Sequence, residues 1–194
     1  MKIPRPISSQ PIPETARKVF EGIMFDVYQW EQEVFDGSKA IFEKVKRPDT
    51  VVVFPVLPDG KILLINEEQP SKQKFISAPG GRIEKDEDVL TAAKRELLEE
   101  TGYEANEFIL WEAHQPVSKV EWAVYVLVAK GLKKVSEMNL DPGEKIDPYP
   151  VSFDEFMTIG SDPNFRGIDM LPKFLEAKLY PEKMEALRTL FRSN

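Results

Sequence analysis

Cysteine is absent from all 194 residues and histidine occurs once, at His114. The first absence excludes disulfides, thiolate nucleophiles and Cys-ligated zinc. Nothing in the sequence pairs His114 with a nucleophile, so a packing or surface role is expected for it. Long apolar runs are missing too. The longest, Trp122 to Ala129, is far too short to cross a bilayer. The segment Met1-Lys2-Ile3-Pro4-Arg5-Pro6 is polar and broken by proline, without the apolar core of a signal peptide. A cytoplasmic protein with no membrane partner is expected. Excess positive charge is also lacking: the net charge of −7 argues against nonspecific nucleic-acid binding. What is present is enough apolar material, 42% of residues, to build one domain with an appended element.

Pattern along the chain suggests many short strands around one strong helix. Residues 1–16 carry Pro4, Pro6, Pro11 and Pro13 and read as an extended arm. Val19 to Phe35 and Ala40 to Lys46 form a hairpin around the turn at Asp36-Gly37-Ser38-Lys39. Thr50 to Leu57 is a strongly apolar strand, in which Pro55 implies a bulge or an unpaired edge. Lys61 to Asn66 follows as a strand, Glu67 to Lys74 as a polar loop, and Phe75 to Ala78 leads into Gly80-Gly81. Glu107 to Ala113 and Val120 to Ala129 read as strands, Leu140 to Pro150 as an acidic loop, and 168–178 and 182–192 as two amphipathic helices. Strands on both sides of a central helix, with helices at the end, predict a mixed sheet between helices.

The segment from Gly81 to Tyr103 holds most of the chemical information. Asp88 is a plausible N-cap for a helix over 89–100, and Gly102 suits the left-handed residue that ends it. Leu90, Ala93 and Leu97 give an apolar stripe. Glu96, Glu99 and Glu100 are three and four apart and share another face, where three carboxylates repel one another. A hard cation such as Mg²⁺ takes oxygen ligands, often shares them with substrate phosphates, and would relieve that repulsion. Arg95 lies four residues from Glu99 and can orient it through a charge-assisted hydrogen bond.

The spacing of Gly81, Glu87, Arg95-Glu96-Leu97, Glu99-Glu100 and Gly102 resembles the signature box of the Nudix hydrolases. That family cleaves nucleoside diphosphates linked to another group. Only the last position of the box departs, with Tyr103 where an aliphatic residue is usual. The resemblance implies an α/β/α sandwich with a mixed sheet, and Mg²⁺ or Mn²⁺ held by Glu96, Glu99, Glu100 and the carbonyl of Gly80. Glu99 or Glu144 would take the proton of the attacking water, with Arg95 assisting. Gly81, Glu87 and Gly102 would be structural. Outside the box, the chain resembles the ADP-ribose pyrophosphatase and nucleoside diphosphate sugar branch. Residues 1–48 would be an arm and β-hairpin platform for a homodimer, and 49–194 the catalytic domain with C-terminal helices. Tyr28, Trp30, Lys74 and Arg82 are the expected substrate contacts, with Lys72 beside them. Pro70, Ser77 and Ser118 depart from that branch, and Pro116 lies two residues early for its downstream proline. Several nucleoside diphosphate sugars are therefore expected as substrates, with ADP-ribose accepted but not strongly preferred. A nucleotide-sanitising triphosphatase, a dinucleoside polyphosphatase and a non-catalytic ligand-sensing domain are the alternatives.

Overall fold

A computed structural model describes residues 3–193. The N-terminal platform is a meander of β1 (Arg17–Glu21), β2 (Asp26–Glu33) and β3 (Lys39–Lys46). The first expected strand is thus two. Gly22 starts a tight turn, its N–H donating to the Phe25 carbonyl at 3.0 Å, and the chain reverses before β2. The β2–β3 turn falls where expected, with Gly37 at φ 81° and Asp36 accepting from the Ser38 N–H at 2.9 Å.

Four strands build the core sheet: β4 (Thr50–Pro55), β7 (Gly80–Arg82), β9 (Glu107–His114) and β11 (Val124–Lys130), in the order β7-β4-β11-β9. β4 and β11 are parallel, and the flanking strands run antiparallel to them, so the sheet is mixed. Pro55 sits in a central strand without penalty. Val53 donates to Pro79 on the β7 side and Val56 to Ala129 on the β11 side, while β7 pairs only as far as Val52. Pro55 therefore lacks its N–H where no partner strand remains. A short β10 (Val120–Glu121) pairs parallel to β3 and ties the platform to the core.

A second sheet has the order β13-β5-β6, with β5 (Ile62–Glu68), β6 (Phe75–Ser77) and β13 (Lys145–Val151). Two expectations change here. β5 runs on through Glu67 to Glu68, and the second half of the acidic loop is β13, paired with β5 from Lys145 to Val151. Because β13 is an edge strand, Pro148 and Pro150 can point their missing donors away from β5. A two-stranded ribbon joins β8 (Tyr103–Glu104) to β12 (Lys133–Lys134).

Helix α1 (Val89–Thr101) covers one face of the core sheet, over Val51, Val53, Tyr125 and Leu127. The opposite face packs on α2 (Phe153–Ile159), α3 (Leu171–Leu179) and α4 (Pro181–Leu190) through Phe54, Phe156, Phe174 and Phe191. Successive strand residues point to opposite faces, which is why one strand supplies both cores. The result is the helix–sheet–helix layering that the pattern predicts. Among the described residues no helix is long and apolar enough to cross a membrane.

Candidate active site

Helix α1 is fastened at both ends. Asp88 accepts the Thr91 N–H at 2.9 Å, and Gly102, at φ 70°, donates to the Leu98 carbonyl at 2.7 Å. Ala92, Ala93 and Leu97 are fully buried, with Leu90 partly buried beside them, so the stripe sets the helix's rotation. That rotation turns Glu96, Glu99 and Glu100 toward the loop before β7. Glu100 accepts the Gly80 N–H at 2.8 Å. A side chain at Gly81 would collide with the Glu96 carboxylate, and one at Gly80, whose φ is 154°, with the Val51 carbonyl. Gly80 is therefore required by the approach of β4, and Gly81 leaves the Glu96 carboxylate its present position.

Arg95 clamps the box. Its guanidinium donates to Glu87 at 3.0 Å, to Glu96 at 2.8 Å, to Glu99 at 3.1 Å and to the Arg82 carbonyl at 2.9 Å. The Arg95 bond holds the Glu87 carboxyl below its ordinary range, and Glu87 also accepts the Glu84 N–H at 3.0 Å. Glu87 thus locks the turn before the helix to the helix itself.

The carboxylates face a cleft of about 1090 Å³. It opens between the core sheet and the β5–β6 sheet, over Val52, Phe54, Val124 and Val126. Glu67 from β5 and Glu144 from the loop before β13 reach the same cleft. Charge is crowded there. Burial, aided by Glu96, Glu67 and Glu144, pushes Glu100 up to about 9 despite the Gly80 N–H. Burial likewise raises Glu96 against the pull of Arg95, and burial with the charge of Glu67 raises Glu144. These are oxygen donors only, sequestered and mutually repelling, which suits a hard divalent cation. Among the described residues no three acidic side chains already converge as a ready-made ligand set. Arg95 and the Gly80 N–H occupy oxygens that such an ion would use.

The expected substrate contacts divide. Arg82 lines the cleft, as does Lys72. Lys74 does not, and pairs with Asp147 at 3.1 Å. Tyr28 and Trp30 lie on β2 outside the cleft wall of the chain. Trp30 is buried, 6.2 Å from the Phe42 ring, and its indole N–H goes to Gln32 at 3.3 Å, so it packs the platform. His114 contacts Asp169, a residue of the cleft wall, at 3.1 Å, and does not itself line the cleft. Sequence reasoning missed Glu67, Arg47, Trp122, Phe75 and Arg166, all on the cleft wall. The continuation of β5 past Asn66 was the one signal available for Glu67. The others come together only through tertiary pairing.

The NUDIX domain family model matches residues 46–168, and the chain belongs to the Nudix family as a pyrophosphohydrolase. It is 32% identical over 142 residues to the methanol dehydrogenase activator of Bacillus methanolicus, covering 71% of this chain and 76% of that one. It is 29% identical over 145 residues to the ADP-ribose pyrophosphatase of Bacillus subtilis (strain 168), covering 73% and 78%. The crystal structure of an ADP compounds hydrolase shares the fold, with a TM-score of 0.71 at 21% identity over 92% of this chain and 97% of the other.

Proposed function

We propose that the protein hydrolyses the pyrophosphate bond of nucleoside diphosphate sugars, ADP-ribose among them, to a nucleoside monophosphate and a sugar phosphate. The carrying observation is the set of carboxylates with raised pKa, buried Glu96 and Glu100 and half-buried Glu144, facing one large cleft beside a glycine pair. Glu96, Glu99 and Glu100 would hold Mg²⁺ or Mn²⁺, with Glu67 and Glu144 near them. When bound, the cation supplies charge to the pyrophosphate and acidity to a water. Gly80 and Gly81 leave room for the phosphates near the backbone. Arg95 holds Glu96 and Glu99 in place. Glu144 takes the proton of the attacking water in this reading. Burial and the charge of Glu67 raise its carboxyl, and among the described residues it has no side-chain partner, whereas Glu99 is tied to Arg95. The 29% identity to the Bacillus subtilis pyrophosphatase supports this substrate class. The test is purified protein with Mg²⁺ against ADP-ribose, hexose nucleotides, dinucleotides and triphosphates. Preference above ~1000-fold for a triphosphate defeats the reading.

Assembly is part of the proposal. Phe20, Ile23, Phe35 and Ile41 are exposed apolar side chains along the platform. A two-fold homodimer through β1–β3 would cover them, and could bring Tyr28 toward the partner's cleft. Light scattering showing a monomer at micromolar concentration would count against this. The 32% identity to the dehydrogenase activator supports a second reading, stimulation of a dehydrogenase by the same site. Adding this protein to Bacillus methanolicus methanol dehydrogenase tests it; no gain in turnover removes it.

A further inference from the structure

We propose that Arg166, mounted on the ring of Phe75, is a substrate-binding residue that grips the phosphates of the substrate. The inference rests on the pyrophosphohydrolase reading above.

Phe75 opens β6, is almost fully buried, and pairs across the sheet with Glu67. Directly opposed residues of an antiparallel pair project on the same face. The Phe75 ring and the Glu67 carboxylate therefore stand side by side on the cleft wall. Arg166 comes from a different part of the chain, the loop between α2 and α3. That loop is docked on β6: Ile76 donates to the Asn164 carbonyl at 2.9 Å, and Arg166 donates to the Ile76 carbonyl at 2.8 Å. The Arg166 guanidinium carbon then lies 3.5 Å from the Phe75 ring centroid. The two backbone bonds place the loop, and the ring beneath positions the guanidinium of this otherwise exposed residue.

Three of the other four cations of the cleft have polar or charged partners, and Arg47, like Arg166, is stacked on a ring with no carboxylate bound among the described residues. Arg95 is shared by Glu87, Glu96 and Glu99. Lys72 reaches the Gln69 side chain. Arg82 lies 3.8 Å from Glu84, and Arg47 rests over Trp122 at 4.5 Å. Arg166 is in a cleft rich in carboxylates, yet among the described residues its guanidinium pairs with none of them. Stacking uses one face of the guanidinium and leaves its edge N–H groups pointing outward. A planar fork of that kind matches two oxygens of a phosphate. Because its mount adjoins Glu67, the fork stands next to the carboxylate cluster where the pyrophosphate must lie. A ligand there is read by charge and shape at the phosphates, not by base or sugar.

The test uses the full-length protein. Arg166→Ala should lower kcat/KM by about 30-fold, chiefly through KM, to a similar extent for ADP-ribose, ADP-glucose and GDP-mannose. Arg166→Lys, which keeps charge but loses the fork, should recover about a third of that loss on a logarithmic scale. Mn²⁺ affinity and thermal stability should stay unchanged. A loss confined to one base would overturn the proposal in favour of base stacking. So would a change under twofold, or a loss that Lys does not relieve and that tracks a fall in Tm. ADP binding in Mg²⁺, measured by calorimetry, separates this inference from the reaction itself. If no substrate turns over but ADP binds and weakens in Arg166→Ala, the grip stands and the hydrolytic reading falls. If the wild type turns over and ADP binds both proteins equally, the grip falls alone.

Discussion

Two clusters of carboxylates lie in the interior of this molecule, and their charges are settled in opposite ways. One sits where the N-terminal arm crosses between platform and core. The Lys44 ammonium is completely buried and donates to Ser8 at 2.6 Å, to the Gln10 carbonyl at 2.6 Å and to Glu121 at 2.8 Å. Arg5 forks onto Asp49 at 2.7 and 3.0 Å and reaches Glu121 at 2.5 Å. Burial alone would raise Glu121, but Lys44 and Arg5 together hold it below the ordinary carboxylate range. The other cluster faces the cleft, where burial wins and Glu100 is pushed up to about 9. A cluster that closes on itself holds structure together. A cluster that leaves negative charge uncompensated marks a candidate functional site, and in the proposal above a cation completes it.

The largest expected effect comes from opening the closed cluster. Lys44→Met leaves buried acceptors without their cation and should cost about 3 kcal/mol of stability. Limited proteolysis should then cut the arm before β1, while turnover per folded molecule stays near normal. Urea unfolding that gives the wild-type midpoint would erase the distinction between the clusters. The mirror experiment is Glu100→Gln. Turnover should fall at least ~100-fold, about 2.7 kcal/mol of transition-state stabilisation. Stability without metal should hold or rise, because a repelling carboxylate has been removed. Near-normal turnover at saturating Mg²⁺ would end the assignment of Glu100.

The pH dependence should differ in sign between the clusters. The Glu100 pKa is raised in the folded chain, so its contribution is fully present below the unfolded carboxylate pKa and is lost as pH rises toward about 9. The Glu121 pKa is lowered, so its contribution is present above the unfolded value and is lost as pH falls. In EDTA, stability should therefore decline above about pH 5 by less than ~1 kcal/mol per unit. Glu100→Gln should flatten that decline and leave the acid limb intact. Melting curves from about pH 3 to 9 for both proteins decide it. The smallest effect belongs to His114, whose bond to Asp169 belongs to neither cluster. His114→Gln should change stability by about 0.5 kcal/mol or less and kcat/KM by less than ~2-fold. A tenfold drop in kcat/KM would put His114 into the chemistry.

Local rules carried the reading of α1 almost completely. Asp88, Gly102, the Ala93–Leu97 stripe and the acidic face are consequences of helical periodicity and of capping, which neighbouring residues impose. The β2–β3 turn was legible for the same reason, because Asp36 and Gly37 set their own backbone. β13 was not legible. A segment with Pro148 and Pro150 reads as loop, and only its place at a sheet edge lets it be a strand. Trp30 and Lys74 looked like ligand contacts by residue type, but neighbours distant in sequence, Phe42 and Asp147, engage them.

By itself, then, the sequence determined the layout of the candidate site: three carboxylates on one helical face, a clamping arginine four residues from one of them, and a glycine pair ahead. Those depend on spacings within one helix and one loop, where geometry is set by a few consecutive φ and ψ values. Tertiary structure alone decided what surrounds that site. Glu67 became part of it through β5–β6 pairing, Arg166 through a loop docked beside β6, and Trp122 with Arg47 through the parallel pairing of β3 with β10. Such placements depend on which strands are neighbours. That choice is made by the whole hydrophobic core at once, and no short stretch of residues encodes it.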